Sequence, residues 1–113
     1  MNSYGFRVWN STNVHVSDCT VEHFRTGMRI DAPAYCGVTV RDCVWIANSN
    51  VDIQIVGGSG CIINENTFRG GNSSPLKGYS DTNYNIATSN VFVGTSYDTT
   101  LGANSVVGNN VFI

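Results

Sequence analysis

Short stretches in which apolar and polar residues alternate recur along this chain at a regular interval. The phrase Val14-His15-Val16-Ser17-Asp18-Cys19-Thr20-Val21 returns as Val38-Thr39-Val40-Arg41-Asp42-Cys43-Val44-Trp45 and as Cys61-Ile62-Ile63-Asn64-Glu65-Asn66-Thr67-Phe68. Two looser copies are Asn85-Ile86-Ala87-Thr88-Ser89-Asn90-Val91-Phe92 and Ser105-Val106-Val107-Gly108-Asn109-Asn110-Val111-Phe112. Anchored on the sixth place (Cys19, Cys43, Asn66, Asn90, Asn110), the copies lie 24, 23, 24 and 20 residues apart. Alternation with a period of two predicts a strand, and a fixed period in this range marks a stacked repeat. A second alternating segment precedes the phrase: Phe6-Arg7-Val8-Trp9, Met28-Arg29-Ile30-Asp31 and Val51-Asp52-Ile53-Gln54. Each repeat therefore holds at least two short strands joined by Gly, Asn and Ser turns. Stacking the repeats piles like positions into columns.

Two columns are expected to face inward. An Asn at the sixth place can bond its own coil and the next, satisfying turn backbone that is otherwise buried and unpaired. Two places on stand Val21, Trp45, Phe68, Phe92 and Phe112, an apolar and mostly aromatic column. Burial of each large apolar side chain contributes about 1.5–3 kcal/mol, and Trp45 is assigned to the core. Leucine-rich repeats share this spacing and period. They fit poorly here, because the only leucines are Leu76 and Leu101 and no amphipathic helix pattern separates the phrases.

With 113 residues, a single domain spanning 1–113 is expected. A net charge of −2 with no basic stripe excludes a nucleic-acid partner. Charged residues make up 12% of the chain, against roughly 25% in ordinary domains, and Asn, Ser, Thr and Gly take their place. No apolar run is long enough for a membrane span. Met1-Asn2-Ser3-Tyr4 carries no signal-peptide pattern. The chain stops in mid-phrase at Val111-Phe112-Ile113, so a fragment of a longer protein is expected, with flanking sequence or other subunits covering the open coils. The four cysteines fit no zinc spacing. Buried thiols and a reducing compartment during assembly are the favoured reading. Cys19 and Cys43 occupy equivalent places about 4.8 Å apart, within disulfide range, so a bridge there stays open.

The phrase, preceded by Gly5-Phe6-Arg7-Val8 or Gly27-Met28-Arg29-Ile30, resembles the repeat of the pectate-lyase-like superfamily of right-handed parallel β-helices. The resemblance covers about residues 5–113. It implies an all-β, single-stranded right-handed parallel β-helix of about five coils of 20–24 residues. That superfamily includes polysaccharide lyases, glycoside hydrolases, epimerases and bacteriophage tailspikes. This chain looks most like a tailspike segment, which implies a polysaccharide partner, a homotrimer and a virion-tail or extracellular location. A stand-alone polysaccharide lyase or epimerase and a non-catalytic spacer are the other readings. No cofactor is expected, although a lyase of this class would use calcium.

Chemistry must come from outward residues. The acidic column Asp18, Asp42 and Glu65, continued by Ser89 and Asn109, supplies the catalytic candidates. Strand spacing puts successive members roughly 5 Å apart, close to the carboxylate separation of retaining glycosidases, about 5–5.5 Å. The competing reading is that Asp forms the turn after the strand. The carbohydrate-binding candidates are the column Arg7, Arg29 and Asp52, with its flanking residues Trp9, Asp31 and Gln54. Trp9 lies off the apolar register and offers a platform for a sugar ring, while guanidinium forks bind hydroxyls or a sugar carboxylate. A solvated ion-pair ladder is the alternative. His15 shares the outer face of the phrase strand, and His23, following Val21, is expected to be partly buried. The stretch from Arg69 to Asp81 breaks the alternation and reads as a protruding loop, in which Tyr79, with Tyr84 just beyond, would line a carbohydrate site.

Overall fold

The computed structural model describes residues 3–32, 35–70, 74–79, 84–94, 99–102 and 104–113, and these contain strands and turns but no helix. The strands come in threes. The first rung is β1 (Tyr4–Trp9), β2 (His15–Ser17) and β3 (Thr20–Glu22), and the second is β4 (Thr26–Asp31), β5 (Thr39–Arg41) and β6 (Val44–Ile46). The third is β7 (Val51–Gly57), β8 (Ile62–Asn64) and β9 (Thr67–Arg69), and the fourth is β10 (Ser74–Gly78), β11 (Ile86–Thr88) and β12 (Val91–Val93). The last is β13 (Thr99–Thr100), β14 (Val106–Gly108) and β15 (Val111–Phe112). Corresponding strands pair in parallel into three five-stranded sheets: A from β1, β4, β7, β10 and β13; B from β2, β5, β8, β11 and β14; C from β3, β6, β9, β12 and β15. The chain is a parallel β-helix with three faces.

The phrase supplies two of the three strands because it bends at its fifth residue. Asp18, Asp42, Glu65, Ser89 and Asn109 have φ of +56°, +54°, +56°, +58° and +52°. One left-handed residue turns the chain from sheet B onto sheet C.

Inside, the columns stack in register. Val16, Val40, Ile63 and Ala87 line sheet B, and Val21, Trp45, Phe68, Phe92 and Phe112 line sheet C. The Phe68, Phe92 and Phe112 rings stack at 4.9 Å with 8° and 16° between planes, and Trp45 lies 6.3 Å from Phe68. Stacked rings add about 0.5–1.5 kcal/mol per pair beyond burial. Gly27 is required beside this column, because a Cβ there would sit 2.8 Å from Trp45 Cε3 and 2.6 Å from the Asp52 carbonyl oxygen.

The expected Asn ladder is present. Asn66 Oδ1 accepts the Cys43 amide and its Nδ2 donates to the Val40 and Asn64 carbonyls. Asn90 repeats the pattern one rung on, taking the Asn66 amide and donating to Ile63, and Asn110 follows, on Asn90 and Ala87.

Three expectations are corrected. Arg29 pairs with Gln54 across β4 and β7, so Asp52 leaves the outward column. It is fully buried near the start of β7, where Asn48 Nδ2 donates to its carboxylate at 2.8 Å. Met28 pairs with Ile53, a step of 25, and not with Val51, a step of 23 as the alternating segments align, and this two-residue slip is invisible to a pattern of period two. The protruding loop is replaced in part by β10, whose Ser74, Pro75 and Leu76 are buried; residues 71–73 and 80–81 of that stretch lie outside the described ones. His23 is exposed at a left-handed corner with φ +64°, its amide donating to the Ile46 carbonyl.

Candidate functional site

The outer face of sheet A gathers side chains that ordinary strand surfaces do not combine. The paired residues Arg7, Arg29, Gln54 and Lys77 form one row across β1, β4, β7 and β10. Beside it stand Trp9 and Asp31, which pair across β1 and β4, and further along Val56 and Tyr79. Three inter-strand steps span roughly 14 Å. Arg29, Gln54, Val56 and Tyr79 line an open depression of about 290 Å³.

Asp31 organises the arginines. Arg29 Nε donates to Asp31 Oδ2 at 2.7 Å and Nη2 to Oδ1 at 3.3 Å, a two-point fork, while Arg7 Nη2 reaches the same Oδ2 at 3.5 Å. Arg29 Nη1 also donates to the Tyr4 hydroxyl at 3.3 Å. These bonds, Asp31 first and Tyr4 second, raise the Arg29 pKa above its already high ordinary value. The cation is permanent.

The aromatic rings are wedged among these cations. Arg7 lies 4.8 Å from the Trp9 ring centroid and 5.9 Å from that of Tyr4. Arg29 lies 6.0 Å from Tyr4, and Lys77 Nζ 5.5 Å from Tyr79. Gln54 Nε2 donates to the Tyr79 hydroxyl at 2.9 Å. Trp9 stays 64% exposed, so its ring has a face available to a ligand. An aromatic ring held by a cation and left open on one side can stack on an apolar ring face, while the guanidinium edges offer donors to hydroxyls or carboxylates.

Of the carbohydrate candidates, Arg7, Arg29, Trp9, Asp31 and Tyr79 therefore share one face, and Asp52 lies inside. Sequence reasoning passed over Tyr4, Val56 and Lys77. The alternation Leu76-Lys77-Gly78-Tyr79 was the signal for Lys77, hidden by reading the stretch as a loop. Asp18, Asp42 and Glu65 lie elsewhere, exposed on the corner between sheets B and C. Arg41 Nε donates to Asp42 Oδ2 at 3.1 Å. Tyr84 is exposed at a further left-handed corner.

Comparison with protein families matched the whole chain, residues 1–113, to the family described as "Periplasmic copper-binding protein (NosD)". The chain belongs to the NosD family. No curated protein and no solved structure matched it. The family's periplasmic description accords with the expected extracellular location. Its copper-binding description is tested by the donor set. Among the described residues, no three His, Cys, Asp or Glu side chains come together as a metal site. The sulfurs of Cys36 and Cys61 lie 3.3 Å apart but are fully buried, whereas His15 and His23 are exposed on the outside of the coil. These residues do not fit a copper site. No helix of the described residues is long and apolar enough to cross a membrane.

Proposed function

We propose that this NosD-family β-helix works outside the cytoplasm and binds polysaccharide on the outer face of sheet A. The observation that carries the reading is the row of Arg7, Arg29, Gln54 and Lys77 interleaved with Tyr4, Trp9 and Tyr79. A stiff parallel sheet repeats these contacts at the rung spacing, so a linear polymer laid across the strands meets similar groups at each step. The depression is open, which suits an extended chain better than an enclosed small molecule.

Charge narrows the ligand. Among the described residues, the face brings together Arg7, Arg29 and Lys77 with Asp31 as the carboxylate beside them, in a protein of net charge −2. An acidic polysaccharide, carrying carboxylate or sulfate groups, fits that local excess. The reading keeps the polysaccharide partner and needs neither a virion nor a trimer.

The test is a binding assay of the chain against a panel of acidic and neutral polysaccharides. The expected result is binding to acidic members, weakened at least tenfold by Trp9→Ala combined with Arg7→Ala, with an unchanged circular dichroism spectrum. Failure of every polysaccharide to bind, or an unaffected double variant, overturns the proposal.

A further inference from the structure

The interior holds a pair of nucleophiles for which the binding face has no use. Cys36 lies in the turn between β4 and β5, and Cys61 lies between β7 and β8, one rung on. Both are fully buried, and their sulfurs lie 3.3 Å apart. We propose that Cys36 and Cys61 are a cross-linking site, closing to a disulfide that staples the second rung to the third when the chain folds in an oxidising compartment.

Several features hold the pair in place. The Ser59 carbonyl accepts both the Cys36 amide at 3.1 Å and its Sγ at 3.5 Å, tying the turn before Cys61 onto Cys36. A Cβ on Gly58 would stand 2.9 Å from the Cys36 sulfur, so this turn is built around that atom. A disulfide bond is about 2.05 Å long, so the sulfurs need approach by only about 1.2 Å. The other two cysteines differ. Cys19 Sγ donates to the Ser17 carbonyl and Cys43 Sγ to the Arg41 carbonyl, both at 3.2 Å, and Cys43 Sγ also reaches the Val16 carbonyl of the preceding rung at 3.9 Å.

The chemistry is thiol–disulfide exchange with a low-molecular-weight disulfide or a disulfide-donating oxidoreductase. One cysteine loses its proton and attacks a donor sulfur, forming a mixed disulfide and releasing a donor thiolate. The second cysteine, as its thiolate, then attacks the protein sulfur of that intermediate. The intrachain bond forms and the second donor thiolate leaves. The protein dithiol is oxidised by two electrons, the donor disulfide is reduced to two thiols, and two protons pass from the cysteines to the donor. Burial pushes the Cys61 thiol well above its ordinary pKa, so attack belongs to the stage before the third rung closes over the second. The periplasm, where the family is described, is an oxidising compartment.

To test this, the 113-residue chain is refolded in a buffer of glutathione and glutathione disulfide, and free thiols are alkylated after unfolding. The expected product lacks two hydrogen masses, carries two alkyl groups on Cys19 and Cys43, and yields a peptide joining Cys36 to Cys61. Reducing it lowers the thermal midpoint by at least about 5 °C, because cross-linking restricts the unfolded chain. Cys36→Ala and Cys61→Ala each remove that redox-dependent shift, and Cys19→Ala retains it. Four alkylated cysteines after oxidative refolding, or a bridge joining Cys19 to Cys43, would overturn the proposal.

Discussion

Asp42 shows how one residue can carry two meanings in a sequence. Its column reads Asp18, Asp42, Glu65, Ser89, Asn109, and at all five positions the backbone is left-handed. For most L-residues that conformation costs about 1–2 kcal/mol, while Asp and Asn adopt it readily. The turn thus accounts for Asp18, Asp42 and Asn109 without any catalytic demand. The column was legible from spacing, but an acidic side chain looks the same whether chosen for its carboxylate or for its backbone. Asp42→Asn is expected to leave the denaturant midpoint and polysaccharide binding unchanged, whereas Asp42→Val is expected to lose about 1–2 kcal/mol in the same titration. Reducing-end assays on bound polysaccharide are expected to show no release with either the parent or Asp42→Asn. Release by the parent that Asp42→Asn abolishes would make the column catalytic instead.

Between neighbouring strands, the inward elements were readable and the outward register was not. Trp45, Phe68, Phe92 and Phe112 superpose as the phrase spacing implied, because an apolar residue on the wrong face of a coil is immediately costly. Outside, a slip of two residues keeps every side chain on its own face, so Asp52 and Gln54 are indistinguishable by pattern, while the Gly, Asn, Ser and Pro residues ahead of Leu76 conceal the alternation of β10. The Asn ladder is the inward element most exposed to mutation. Asn90 takes the Asn66 amide at 3.0 Å and donates to the Ile63 carbonyl at 3.0 Å, with no exposed surface of its own. A leucine there fills similar space but leaves a buried donor and a buried acceptor unpaired. Asn90→Leu is expected to cost roughly 1–3 kcal/mol, read as a lowered urea midpoint with an unchanged slope. A midpoint equal to the parent's would mean that the ladder does not hold adjacent rungs together.

For the molecule as a whole, the same repetition leaves matching surfaces at the two ends of the coil stack. Val107 and Phe112 continue the inward columns of sheets B and C and are 41% and 39% exposed in the last rung of the 113 residues. Phe6 is likewise 38% exposed at the opposite end, although its partner across the sheet, Met28, is fully buried. Open strand edges beside apolar side chains invite pairing with another chain. The 113-residue chain is therefore expected to associate rung to rung, its light-scattering mass rising above 12.2 kDa as concentration increases. Lysine at both positions, Val107→Lys with Phe112→Lys, places charge on that end and is expected to return the mass to the single-chain value. These substitutions lie on sheets B and C, away from the sheet A face, so polysaccharide binding per chain should survive them. Loss of binding together with association would mean that the glycan is held between chains and that the sheet A row alone does not form the site.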